Sequence, residues 1–446
     1  MKILLKNCKL IEGLKDIIIE DDKIVDIKPC EWSKTFAMVD SFDQVIDIKN
    51  KLVIPGMIDA HVHVRDMEQN NKETWETASL AALTGGVTTI IDMPNTIPAT
   101  TNLKGLNAKR EAAKKAKLNY KFHLGATENN LQELEQILKS YSFDIAGIKI
   151  FLAGSSSNEV VADESKLKEI FKLAKKYDKV VLVHTELQSC LDKWQQKIAE
   201  KTIQNHDILR NRKCAIEGTK LVLELANKIG NKLYICHVST REEIELIRKA
   251  KQKSTNIFCE ITPHHLTLEE SVLNSVGNFG KVNPPLRTKD DNNALLEAVI
   301  DSTIDCVGSD HAPHTIDEKI EDYSIAPSGF PGLETTLPIL ITEFIERKIP
   351  LSRLVELTST KPAEIFEFKK RGKIEKEFYA DLAVIDAEHA FPIIAAKFNS
   401  KAKYSPFDGM IGQAKVKFTF VNGNSKLPFG RGDVRYLPDR GVYYDE

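Results

Sequence analysis

LVIPGMIDAHVH, residues 52–63, is apolar for most of its length and closes on two histidines set two positions apart. Seven later stretches share that pattern: VTTIIDMPN (87–95), YKFHLGAT (120–127), IAGIKIFL (145–152), KVVLVHTE (179–186), KLYICHVS (232–239), NIFCEITPHH (256–265) and DCVGSDHAPH (305–314). Short, nearly continuous apolar runs are what strands covered on both faces require. Between them lie amphipathic, charge-rich stretches such as KETWETASLAAL, LKGLNAKREAAKKAK and DESKLKEIFKLAKKY, the pattern of covering helices. Thr240 and Glu243 sit at capping-box spacing directly after the sixth run, which predicts a strand feeding a helix. Eight strand–helix units are the number that closes a TIM-like (β/α)8 barrel.

Each run starts apolar and ends polar, so the expected barrel gathers its chemistry at the C-terminal mouth of the strands. His61 and His63 leave the same face of an extended chain and can grip one metal ion. Counting on from His63, Lys149, His184, His237 and Asp310 follow at intervals of 86, 35, 53 and 73 residues. At roughly 30 or more residues per βα unit, this places the group on strands 1, 4, 5, 6 and 8. Four histidines and an acid converging in one mouth point to metal binding rather than packing, because fully buried histidines need partners. Lys149 has two readings: an ordinary lysine paired with Asp310 or a substrate anion, or an amine that has taken up carbon dioxide and offers two carbamate oxygens to two metals.

The chain has 446 residues, with 62 Lys+Arg against 64 Asp+Glu and a formal charge of −2. That balance excludes a broad polycationic surface for nucleic acid. At 42% apolar and 28% charged residues the composition suits a large packed core. Even the apolar stretch TTLPILITEF carries Pro338 and Glu343, so no membrane span is expected. The first residues show no export signal, which makes a cytoplasmic protein the expectation. The seven cysteines are odd in number, scattered and never C-x-x-C, and are read as reduced thiols. Both flanks, with KILLKNCKLI and DIIIEDDKIVDIK at one end and GKIEKEFYADLAVIDA and GQAKVKFTFVNGN at the other, look strand-like. Neither is long enough for its own core, so residues 1–51 and 372–446 are expected to share one small β-sandwich-like domain beside a barrel of residues 52–371.

IPGMIDAHVHVR, GGVTTIIDMPNT, GIKIFL, VLVHTE, ICHVST, TPHHL, KVNPPLR, GSDHAPH and GFPGLET, as a set and in this order, resemble the cyclic-amidohydrolase branch of the amidohydrolase superfamily, with the closest likeness to the dihydroorotases. The resemblance implies two zinc ions bridged by a carboxylated Lys149, with His61 and His63 on one, His184 and His237 on the other, and Asp310 as ligand and catalytic base. It implies Arg65, Asn95 and His314 on a substrate carboxylate, and Asn283, Ser328 and Gly329 against the ring. The implied reaction is the reversible cyclisation of N-carbamoyl-L-aspartate to dihydroorotate in pyrimidine biosynthesis. Hydantoinase, dihydropyrimidinase and allantoinase activities are the alternatives on the same metals. A non-catalytic scaffold is a further one, since some dihydroorotase-like chains are structural partners of aspartate carbamoyltransferase, an association the likeness also admits here, as it does a homodimer. Asp163 is the nearest candidate for a branch that bridges its metals with an aspartate, but lacks the surrounding Asp-Gly pattern. Where the family commonly reads Glu-Pro-Gly after the arginine, this chain has Asp66-Met67-Glu68-Gln69, which puts an extra acid beside Arg65. AGSSSN (153–158) and APSGFPG (326–332) are expected to be loops over the mouth.

Overall fold

The computed structural model describes residues 1–30, 41–154 and 159–425, and the backbone of Val434–Arg435. Eight strands, Met57–Val62, Val87–Asp92, Asn119–Gly125, Ile145–Phe151, Val180–His184, Leu233–Ile235, Ile257–Ile261 and Cys306–Val307, pair with one another in chain order. The ladders are parallel throughout, and a parallel bridge from Val62 to His311 brings the last segment back to the first. This is a (β/α)8 barrel. Most of these strands are buried along their whole length, because helices cover the outside while side chains fill the inside. The capping box of Thr240 and Glu243 opens the helix Arg241–Lys251 after the sixth strand.

The run 52–63, read above as one strand, is two. Leu52–Pro55 pairs antiparallel with Leu382–Asp386 outside the barrel, and Met57–Val62 is the first barrel strand. Gly56 is the crossing point: a Cβ there would lie 2.1 Å from Thr88 Cγ2, so only glycine lets the chain step between the two sheets. Among the described residues the outer sheet has nine strands: Leu52–Pro55, with Lys2–Leu10, Gly13–Glu20, Lys23–Pro29 and Gln44–Asp47 from one end of the chain and Leu382–Asp386, Lys415–Val421, Asn424–Ser425 and Val434–Arg435 from the other. Alternation along its central strands sends Val53, Leu382 and Val384 into the small core, and Leu52, Ile54, Ala383 and Ile385 into the barrel core. The two bodies therefore share buried side chains from the same strands.

One expectation is corrected. Cys190 and Cys214 form a disulfide across 24 residues, joining the helices Gln188–Lys197 and Arg212–Ile229. Both helices follow the fifth barrel strand and pack together, a tertiary proximity that has no spacing signal in the sequence. Cys8, Cys236, Cys259 and Cys306 are free thiols. Among the described residues no helix is long and apolar enough to cross a membrane.

The longer of those helices lies flush on the chain that carries the functional side chains. A Cβ on Gly218 would fall 1.7 Å from the carbonyl oxygen of Thr185, the residue after His184. Gly218→Ala is expected to lower unfolding free energy by about 1–3 kcal/mol through overpacking, whereas Lys220→Ala on the exposed side of the helix is expected to stay within about 0.5 kcal/mol. Urea unfolding of the two variants measures the difference.

Candidate metal centre

The first barrel strand ends in His61 and His63, and each ring is oriented from behind. Glu260, on the seventh strand, takes the Nδ1 side of His61, and also accepts from Tyr234 Oη at 2.7 Å and from the backbone N–H of His237 at 3.2 Å. Asn95, just past the second strand, accepts from His63 Nδ1 at 2.6 Å. With both Nδ1 atoms committed, both Nε2 atoms face Asp310 Oδ1, at 3.4 Å from His61 and 3.1 Å from His63. One ligand atom from each of the three lies within 4.8 Å of the others.

His184 and His237 make the second half. His184 Nε2 donates to Glu186 at 2.9 Å, and Arg210 forks onto the same carboxylate at 2.7 and 3.1 Å. That leaves His184 Nδ1 turned toward His237 Nε2, 3.1 Å away. The His237 ring centroid is 5.2 Å from that of His61, so the two halves are contiguous. Lys149, on the fourth strand, is fully buried, with Nζ 3.0 Å from Sγ of Cys236, the residue before His237.

Burial drives the charge state. It pushes His61 down to about 3 and holds His63, His184 and His237 below the usual imidazole range, since a low-dielectric site disfavours the protonated ring. All four are therefore neutral donors with a lone pair to offer. His237 Nδ1 is buried without a hydrogen-bond partner. A set of four neutral imidazoles, three of them braced by a second residue, with a carboxylate and a lysine amine, fits divalent transition metals.

His61, His63, His184, His237, Asp310, Asn95, Asn283, Ser328 and Gly329 line one inner cavity. An outer cleft of about 500 Å³ adjoins it, sharing Asn283 and Ser328 and adding Arg65 and His314. Arg65 does not continue the strand face of His63: its φ of 65°, followed by 50° and 51° at Asp66 and Met67, turns the chain toward the cleft. Its Nη2 is 3.2 Å from His314 Nε2. Its Nε and Nη1 are buried with no partner among the described residues.

The extra acid is absorbed by the loop itself. Asp66 accepts from the backbone N–H groups of Met67 at 2.6 Å and Trp75 at 2.8 Å, and so caps its own turn. Asp163 lies outside the centre, as the exposed N-cap of the helix Glu164–Lys176. His264 and His265 sit on the short helix Pro263–Thr267 rather than on a strand end. Of the segment 153–158, residues 155–158 lie outside the described residues. Sequence reasoning missed Glu260, Glu186 and Cys236. Glu186 carried a signal, an acid two residues beyond a candidate ligand; Glu260 is hidden inside an apolar run.

With this geometry in place, the comparisons define the class. The chain belongs to the amidohydrolase family, whose model matches residues 52–426, and its likenesses set it among the cyclic amidohydrolases. The dihydroorotase of Methanosphaera stadtmanae is 37% identical over 431 residues, 95% of each chain. That of Methanosarcina mazei is 36% identical over 441 residues, 96% of this chain and 94% of that one. Among solved structures, the L-hydantoinase (dihydropyrimidinase) from Arthrobacter aurescens matches with a TM-score of 0.89 at 30% identity, over 100% of this chain and 99% of that one.

Glu260→Gln removes the charge that backs His61 and is expected to weaken metal retention by about 10–100-fold. Competition with a graded series of chelators, read as metal per chain, measures the loss.

Proposed function

We propose that the chain acts as a zinc-dependent dihydroorotase, interconverting dihydroorotate and N-carbamoyl-L-aspartate. The observation that carries this reading is Arg65: a buried guanidinium with two unpartnered nitrogens, opening on the cleft that continues the metal-site cavity. A planar fork of that kind suits a substrate carboxylate. The names of the curated relatives support the same choice. In this reading His61, His63 and Asp310 would hold one ion and His184 and His237 the other, with a carboxylated Lys149 completing the ligand set. Such a pair of ions supplies Lewis acidity at a ring carbonyl and a water acidified toward neutrality.

The protein's own groups do the rest. Arg65, with Asn95 and His314, takes the carboxylate and fixes which ring bond faces the metal site. Asn283, Ser328 and Gly329 hold the ring edge. Asp310 accepts the proton of the attacking water at a carboxylate oxygen and delivers it to the ring nitrogen as the C–N bond breaks and the C–O bond forms. The product is the open carbamoyl amino acid. In reverse, the same groups close the ring and release water.

Asp310→Asn is expected to keep most of its metal while kcat falls by about 10²–10⁴-fold; metal analysis and steady-state rates on the same sample test both halves.

The similarity to a solved hydantoinase favours a second reading, a ring without a carboxylate, and Arg65 separates the two. Arg65→Ala is expected to cost about 1.5–3 kcal/mol, roughly 10–150-fold in kcat/KM, on dihydroorotate, and far less on dihydrouracil or hydantoin. Equal losses on charged and uncharged rings would remove the dihydroorotate assignment.

A further inference from the structure

Lysine is almost never fully buried unless it is paired, yet the mouth of this barrel holds two buried lysines whose hydrogen bonds go to backbone carbonyls. Lys281 is 8% exposed and Lys319 1%. Lys281 Nζ donates to Tyr323 O and Ala326 O, both at 2.6 Å. Lys319 Nζ donates to Pro327 O at 2.8 Å, Gly329 O at 3.0 Å and Lys281 O at 3.5 Å. The loop answers through Gly329 N–H, which donates to Lys281 O at 2.8 Å. Burial pushes Lys281 down to about 8 and Lys319 well below the usual lysine range, so both amines are held there against a desolvation cost. Such a cost is retained where it positions something.

What it positions is the wall of the substrate cavity. Ser328 and Gly329, at the end of the clamped segment, and Asn283, two residues after Lys281, line the inner cavity with the metal-site histidines. We propose that Lys281 and Lys319 are positioning residues that clamp residues 323–329 by their carbonyls and so set the face that recognises the amide edge of the cyclic substrate. Neither lysine touches the reacting atoms. The inference rests on the function proposed above for the choice of substrate, but the clamp itself can be read without turnover.

The test uses Lys319→Met and Lys281→Met in the metal-loaded full chain, with Lys319→Arg as the variant that keeps donors. Loss of uniform substrate binding is expected to raise KM for dihydroorotate by about tenfold in each Met variant, with kcat changed by less than about threefold. Metal per chain and melting temperature stay at wild-type values, and Lys319→Arg recovers part of the KM. Amide hydrogen exchange across residues 323–330 accelerates in both Met variants, while the barrel strands exchange as before. Unchanged exchange in that segment, or faster exchange with unchanged KM, overturns the clamp. So does a parallel fall in metal content, melting temperature and kcat, which is what a merely structural role would give. A wild-type protein that is inert toward every cyclic amide sinks the function proposed above instead, and leaves the exchange measurement to decide the clamp.

Discussion

Four imidazoles kept neutral by burial, and each turned so that a lone pair faces the same small space, are the condition on which everything else in this molecule depends. Neutrality comes from desolvation. Orientation comes from behind, through Glu260 on His61, Asn95 on His63, and Glu186 with Arg210 on His184. Without these acceptors nothing would stop the rings from flipping to offer an N–H in place of a donor pair. Without the burial they would titrate near the ordinary imidazole value, and each ring that took a proton would repel a cation.

The barrel makes that condition cheap to meet. Parallel strands present their C-terminal ends on one side, so residues far apart in sequence arrive together with no special local structure. The outer sheet keeps the first strand in place: Leu52–Pro55 and Met57–Val62 are one run of chain divided by Gly56, anchored in one sheet and functional in the other. Side chains from the shared strands enter both cores.

Much of this was legible before any coordinates. Eight apolar runs with polar ends reveal the barrel because burial on both faces leaves a mark that a single sequence carries. The ligand intervals point to separate strands because a βα unit takes roughly 30 or more residues. The illegible parts are those set by side chains meeting across elements. Glu260 is an acid inside a buried strand, and only the arrival of His61, Tyr234 and the His237 amide explains why it is tolerated there. Cys190 and Cys214 meet because two helices pack. Asp66 reads from sequence as a charge beside Arg65, yet the positive φ angles of residues 65–67 turn it onto backbone amides. Of the carbonyl-bound lysines, Lys281 opens the KVNPPLR stretch and Lys319 lies outside every quoted motif, and nothing in their spacing says that their amines face a loop.

In the proposed function Lys149 completes the centre as an anion, a role no unmodified lysine can fill beside two cations. Carbon-13 NMR of metal-loaded protein equilibrated with ¹³C-bicarbonate tests it most directly. One slowly exchanging carbamate signal per chain, absent from Lys149→Ala, is expected. Two metals bound per chain with no such signal in the wild-type protein would contradict it.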